Sequence, residues 1–369
     1  VNSESSDYDG GKNIRMRHFI ETLTYLFLDI SGINALFRYL NRNKVIILCY
    51  HGICDDDFDL LKGYDDRHIP KSLFGKQLSY LKRKNYSFTT LSEAAEILNH
   101  RKKIRNIVVL SFDDGFRNVV ENAYPLMQKY HAKGCFYLIS DLIGTSKPVW
   151  TDYVETLVRN AEKGKFRFSY RGENCFYDMT AKASYEKAMK DIKARLRLLS
   201  DKEKNEVLRQ FQKYQYPVPK EFQMSDWAQI QGLNKDILEV GSHTSTHPDC
   251  IRLSSDEEFD YELKYSKAKI ERMVGYRTDH FNYPAGAFDE RVIRQVEAAG
   301  YKTAVSLIPG FNDRKTDPFY LKRIYVNENF LFFKASVSGS YFFIKKVLGK
   351  ILKPYHYQAI FKHADSPYV

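Results

Sequence analysis

Short apolar runs rich in β-branched residues alternate with stretches of helical periodicity along most of this chain. Apolar runs bounded by turn residues read as covered strands. They predict strands at Val45–His51, Ile107–Phe112, Cys135–Ser140, Ile237–His243, Phe281–Pro284, Ala304–Leu307 and Leu321–Val326. Helical spacing predicts helices at Leu73–Lys84, Leu91–Asn99, Asn118–His131, Glu257–Met273 and Asp289–Ala299. Ser92-Glu93 and Ser254-Ser255-Asp256-Glu257 carry helix-starting chemistry, and Gly300 follows Ala298-Ala299 as a stop. Such alternation predicts an α/β fold of parallel strands joined by crossover helices. Periodicity leaves a closed barrel and a doubly wound open sheet both available. In either, functional groups collect where strands end.

The rhythm breaks from about residue 150 to 226. Ala181–Gln215 is dense in Lys, Glu and Arg, with Tyr185, Met189, Ile192, Leu196 and Leu199 as a sparse apolar stripe. This reads as a helical insertion with one buried face, either a lid over a substrate or an inert elaboration. Residues 1–43 read as a polar, disordered start followed by an amphipathic helix. That helix carries Leu23, Leu26, Phe27, Ile30, Ile33, Leu36, Phe37 and Leu40, with Gly32 as an interruption. Residues 44–328 form the main domain, and 329–369 a basic, aromatic helical tail that includes Tyr341–Leu348, Lys350 and Lys353. No run reaches the roughly 18 apolar residues of a spanning helix. The two terminal stretches suit either packing on the main domain or an interfacial position on anionic lipid.

Composition narrows the options. The length of 369 residues allows one large domain with additions or two modest ones. The 27 Tyr and 25 Phe exceed ordinary usage; most should fill the core, and surface rings can stack on sugars. A formal charge of +11 favours anionic surroundings. The chain shows no helix-turn-helix signal, zinc-finger spacing or RNP-type strand, so nucleic acid is not expected as a partner. The cysteines (49, 54, 135, 175 and 250) are odd in number, irregularly spaced and free of CxxC, which argues against a disulfide framework. That usage leans towards a cytoplasmic location, with peripheral membrane contact through the terminal stretches. A secretory signal is not visible. The chain begins at Val1 rather than Met, so secretion or periplasmic export stays open.

Two strings carry the chemistry. Ser111-Phe112-Asp113-Asp114-Gly115 places adjacent carboxylates where an apolar run stops. His243-Thr244-Ser245-Thr246-His247 places two imidazoles four residues apart after a second run. Side chains alternate at a strand end, so one acid can bind a metal while its neighbour faces the reacting water. On a helical turn, i and i+4 share a face, so both imidazoles can reach one cation. One carboxylate and two imidazoles make a three-ligand divalent site with an open position, and the second carboxylate is left as a base. A third string, Phe281-Asn282-Tyr283-Pro284-Ala285-Gly286, has the Pro and Gly of an unusual turn that can aim a main-chain N–H at an oxyanion.

In this order, the three strings resemble the polysaccharide deacetylase family, also called the NodB-homology or carbohydrate esterase family 4 fold. The likeness runs from about Val45 to Val326, interrupted by the insertion. It implies a distorted (β/α) barrel, one divalent metal and removal of acetyl groups from N-acetylhexosamine units. By that resemblance Asp114, His243 and His247 hold the metal and Asp113 activates water. The Ala285 N–H joins the metal in stabilising the oxyanion, with Asn282, Tyr283 and Pro284 completing the substrate loop. Zinc is the first expectation, and an Asp-His-His set also accepts cobalt or nickel.

The departures matter as well. Many members carry an Arg in the third motif, where this chain has Asn282; that Arg orients the base. Arg323, near a late strand, is the candidate replacement. The fourth-motif Asp-Trp is not visible, and Asp317 is a poor substitute. The fifth-motif His, which protonates the leaving amine, has no clear match. His356 and His363 lie in the basic tail. His51, at the end of the first strand, is the candidate to enter the pocket as acid or hydrogen-bond donor. The leading reading is a metal-dependent N-deacetylase acting on a polysaccharide or a lipid-linked oligosaccharide. A glycan-binding module that keeps the barrel without turnover is the alternative. A phosphatase using Asp113 as nucleophile is disfavoured, because phosphoryl-transfer aspartates are usually spaced one residue apart.

Overall fold

A computed structural model of the chain describes residues 19–57, 67–100, 104–161, 165–178, 182–211 and 216–348. The polar start and the stretch holding His356 and His363 lie outside the described residues.

Seven parallel strands close into a barrel. In chain order they are β1 (Val45–Tyr50), β2 (Ile107–Phe112), β3 (Gly134–Leu138), β4 (Leu238–Ser242), β5 (His280–Asn282), β6 (Thr303–Pro309) and β7 (Leu321–Tyr325). The order around the ring is β1-β7-β6-β5-β4-β3-β2, and β1 closes it by pairing β2 from Val45↔Ile107 to Tyr50↔Phe112. Closure settles what periodicity left open. The ring is uneven: β5 meets β4 at the single register pair Phe281↔Ser242, and β6 shifts register against β7 between Val305 and Pro309. A two-residue strand, Ser87–Phe88, hangs on the outer edge of β2.

Val45, Ile47, Ile107, Val109, Cys135, Tyr137, Val305 and Leu321 pack together inside the barrel, with Leu91, Leu98 and Ile104 joining them at one end. Gly241 on β4 makes room there: a Cβ would sit 2.5 Å from the Tyr137 ring. The alternate residues of the same strands, such as Ile46, Leu48, Val108 and Leu110, pack outward under the helices.

Some helices differ from their periodicity. The Asn118–His131 stretch opens with a π-helical segment, Val119–Ala123, before the α-helix Tyr124–Tyr130, where Pro125 cannot donate to a preceding turn. A second π segment, Asp260–Tyr265, splits Asp256–Val274. Thr90, not Ser92, caps the helix Leu91–Asn99, through a reciprocal bond pair with Glu93. The insertion is not purely helical. Between the helices Trp150–Asn160 and Lys182–Arg197 lies an antiparallel hairpin, Lys165–Tyr170 with Glu173–Asp178. All five cysteines are free thiols.

Candidate active site

Alternation along the strands decides which side chains reach the interior at the C-terminal end of the barrel. On β1, Val45 and Ile47 line the core, so Cys49 and His51 follow on the same side. On β2, Ile107 and Val109 put Ser111 and Asp113 there. Leu321 does the same for Arg323 on β7, and His280 for Asn282 on β5. The candidates from separate motifs therefore converge.

Asp114, His243 and His247 are all buried, and their ligand atoms lie within 4.8 Å of one another. His243 Nε2 is 3.5 Å and His247 Nε2 3.7 Å from the same oxygen, Asp114 Oδ1. Ligands about 2.0–2.1 Å from a tetrahedral zinc would stand about 3.3 Å apart, so the trio fits such a cation with little adjustment. His243 Nδ1 lies 2.8 Å from the Asn282 carbonyl oxygen. Donation of its N–H to that oxygen leaves Nε2 as the free lone pair. Burial and then the neighbouring His243 push the His247 imidazole well below its ordinary value, against the pull of Asp114, which keeps it neutral as a ligand must be. Burial would raise the Asp114 carboxyl, but the surrounding imidazoles, His243 first and then His51 and His247, outweigh it and hold the group far below the carboxylate range.

The loop between the histidines is not the helical turn that their spacing implied. Thr244 and His247 both take left-handed backbone angles (φ 68 and 67), which an α-helix cannot contain. The turn is pinned instead by side chains. The His247 N–H donates to Thr244 Oγ1 at 2.9 Å. Buried Glu262 accepts from the Ser245 and Thr246 N–H groups at 2.8 and 3.0 Å and from Thr246 Oγ1 at 2.7 Å. Glu262 sits on the π segment. Asp114 (φ 75) and Ala285 (φ 55) are left-handed too, so every motif loop holds strained non-glycine backbone.

Asp113 is held by Arg323. Arg323 Nη1 donates to Asp113 Oδ1 at 2.7 Å and to Ser111 Oγ at 3.2 Å, Nη2 donates to Asn282 Oδ1 at 3.1 Å, and Nε to the Ser306 carbonyl at 2.9 Å. Both members are buried. Burial would raise the Asp113 carboxyl, but Arg323, then His51 and His243, outweigh it and keep the group below the ordinary range. Arg323, from another strand, thus contacts the carboxylate that a third-motif Arg was expected to orient, and Asn282 accepts from it. Asp113 Oδ2 is left for other partners: Cys49 Sγ at 3.6 Å and His51 Nε2 at 3.9 Å.

The substrate loop divides. Tyr283 and Pro284 are buried; the Tyr283 hydroxyl donates to the Phe319 carbonyl at 2.8 Å and its ring stacks on Phe288. Tyr283 therefore supports the loop from behind, with its phenol already engaged. Ala285 is half-buried, and its N–H finds no acceptor among the described residues. Asp317 belongs elsewhere, capping the turn Pro318–Tyr320 through the Phe319 N–H.

Several participants were missed from sequence. Arg67 Nη1 lies 3.4 Å from Asp114 Oδ2, and its Nη2 donates to Asp152 at the start of the insertion. Cys49, which nothing in the sequence singled out, turns its thiol towards Asp113. The insertion also touches the histidine loop, through Asp201 accepting from Thr246 Oγ1 at 3.3 Å and Arg197 pairing Asp249 at 3.5 Å. It forms one wall of the site. Only Glu262 left a usable trace, as an acid inside an otherwise amphipathic helix.

The polysaccharide deacetylase family model matches residues 100–304, more than half of the chain. The chain belongs to the polysaccharide deacetylase family. The Bacillus subtilis protein YxkH is 22% identical over 299 residues, covering 81% of this deacetylase-family chain and 76% of YxkH. The poly-beta-1,6-N-acetyl-D-glucosamine N-deacetylase of Staphylococcus epidermidis is 27% identical over 146 residues, 35% of this chain and 50% of that protein. Among solved structures, the deacetylase PplD of Streptococcus pyogenes, in complex with acetate, superposes with a TM-score of 0.53 at 19% identity, covering 78% of this chain and 94% of PplD. IcaB of Ammonifex degensii gives 0.53 at 18%, covering 80% and 97%. At these identities the structural likeness establishes the deacetylase barrel.

Proposed function

We propose that this protein is a metal-dependent N-deacetylase of a polymer of N-acetylhexosamine, with poly-N-acetylglucosamine as the first substrate to try. The observation that carries the reading is a buried carboxylate, Asp113, locked by Arg323 beside an Asp114–His243–His247 trio of metal-binding geometry. The named activity of the staphylococcal relative supports the choice of sugar.

Asp114, His243 and His247 would hold the cation, zinc first with cobalt or nickel also accepted. Bound there, it would polarise the acetamide carbonyl and acidify the attacking water. Asp113 receives the proton from that water on Oδ2, because Oδ1 is committed to Arg323. Arg323 keeps Asp113 ionised and its plane fixed. His51, whose Nε2 stands 3.9 Å from Asp113 Oδ2, delivers a proton to the departing amine. The unengaged N–H of Ala285 meets the oxygen that gains charge. The bonds balance: water adds to the acyl carbon, the C–N bond breaks, and acetate and a free amine leave. With Arg323 filling the place of the absent third-motif Arg, one motive for a non-catalytic reading falls away.

The test is acetate release from N-acetylglucosamine oligomers and from a lipid-linked counterpart, with and without chelator. Activity should vanish on chelation and in Asp113→Asn, while Asp113→Asn still binds one metal per chain. Metal bound with no acetate released by the parent protein on either substrate would sink the enzymatic reading.

A further inference from the structure

The end of the barrel opposite the candidate active site carries a second feature. An open concavity of about 760 Å³ is lined by Arg38, Tyr39, Arg42, Arg83, Lys84 and Arg105, with no acidic residue. Its cations come from three elements: the helix Ile33–Asn41 and the residue after it, the end of the helix Lys71–Arg83, and the approach to β2. None of the five pairs with a carboxylate among the described residues. The walls are already tied together, since the Asn106 N–H donates to the Arg42 carbonyl at 2.7 Å. The Arg42 guanidinium carbon stands over the Tyr39 ring, 3.6 Å from its centre. Five unneutralised cations around one concavity form a site for an anionic group.

Tyr39 also belongs to an exposed apolar face, with Leu36 and Leu40 on the same helix. The preceding helix, Phe19–Ile30, meets this one at 71°. It buries Tyr25 and Leu28 against Phe332 and Tyr341, yet exposes Phe19, Ile20, Leu23, Leu26, Phe27 and Ile30, the last by 74%. Phe343 and Val347, on the helix that carries Lys345 and Lys346, are exposed as well. Single exposed apolar residues are ordinary; a face of this extent beside an unpaired basic concavity is not. No single helix among the described residues is long and apolar enough to cross a membrane. Phe19–Ile30 and Ile33–Asn41 together have the length and composition of a bent span, but one side of Phe19–Ile30 is packed on the protein and the other exposed, which favours lying along a surface.

We infer that this region docks on an anionic lipid bilayer, the apolar helix face entering the interface and the basic concavity taking a phosphate-bearing headgroup. Arg42 and Arg105 precede β1 and β2, so the concavity is at the N-terminal end of the strands and the catalytic candidates at the C-terminal end. A membrane there leaves the active-site mouth facing away from lipid, an orientation suited to a polymer and not to a sugar held at the headgroups.

The experiment is flotation of the full chain with phosphatidylcholine vesicles, with and without phosphatidylglycerol, at low and high salt. Binding is expected only to the anionic vesicles and should weaken with salt. Each cation near the surface contributes about fivefold, so Arg42→Gln with Arg105→Gln should weaken binding by about 25-fold. Leu23→Ser with Phe27→Ser should abolish it. Circular dichroism of each variant should match the parent, which keeps a folding defect from counting as success. Equal binding to neutral vesicles, or unchanged binding by the Arg pair, would overturn the inference. So would binding of inorganic phosphate or an acidic glycan without vesicle binding.

Discussion

Replacing Arg323 with Met tests the central pair most directly. The substitution keeps length and packing but removes four donated hydrogen bonds and leaves the Asp113 carboxylate buried without its cation. Breaking a buried ion pair from one side costs about 3–5 kcal/mol, most of it the penalty of the orphaned charge. At about 2 °C per kcal/mol for a chain of this size, Tm should fall by about 6–10 °C. The double variant Arg323→Met with Asp113→Asn removes the orphaned charge and should recover at least about 1 kcal/mol relative to Arg323→Met alone. The pH profile gives an independent reading. Arg323 favours the ionised form of Asp113, so its loss raises the Asp113 pKa. A base must be ionised to work, so the acid limb of kcat/KM in Arg323→Met should move to higher pH. Scanning calorimetry on the three variants and acetate release across pH provide both readings. An unchanged Tm together with an unmoved acid limb would refute the assignment.

His51→Gln should lower kcat by about 10²–10⁴ with little change in KM, and lose much less on a substrate whose leaving group departs without protonation; an equal loss on both would remove His51 as the acid. Glu262→Ala should weaken metal binding by about 10–100-fold, measured by competition with a chromogenic chelator, because it releases the turn that aims His247. Glu239 lies at the far end of the barrel, where Ser92 donates to it through N–H and hydroxyl at 2.9 and 2.7 Å and His280 stands 3.5 Å away. Burial opposes ionisation there, but His280 and Ser92 win and hold the carboxyl below its ordinary value. A lowered folded pKa adds stability above the unfolded value of about 4.3 and loses it as pH falls through the folded one. Glu239→Gln should therefore flatten part of the acid side of the stability curve in urea melts; identical slopes would show that Glu239 carries none of it.

What sequence could and could not reveal follows from range. Asp114 and His243 stood out because each follows an apolar run, and His247 because it stands four residues beyond His243; strand ends are where a barrel gathers its chemistry. Arg323 was reachable by another route: the third motif lacks the Arg that many members carry, and Arg323 lies near a late strand. Period-two alternation then put Cys49, Ser111 and Asn282 on the same inner side, but only after closure made β1 the neighbour of both β2 and β7. Arg67 was out of reach, because no local pattern marks it as a partner of Asp114 and Asp152. The turn at Thr244–His247 was misread because helical spacing and a left-handed turn both place residues four apart near each other. The hairpin in the insertion, with Phe166 and Phe168 buried and the other strand largely exposed, was passed over because the helical reading rested on Ala181–Gln215, which begins after it.

Arg323 and Asp113 are 210 residues apart in sequence. The strand that brings the guanidinium is the last to enter the ring, so during synthesis the carboxylate waits unpaired until the end of the barrel has left the ribosome. Loop closure over such a span is slow. Asp114, His243 and His247 all precede β7, so a nascent chain carries the whole trio before it carries the partner of Asp113. The Asp113–Arg323 pair is therefore among the last contacts of this fold to form, made only when the circle is complete.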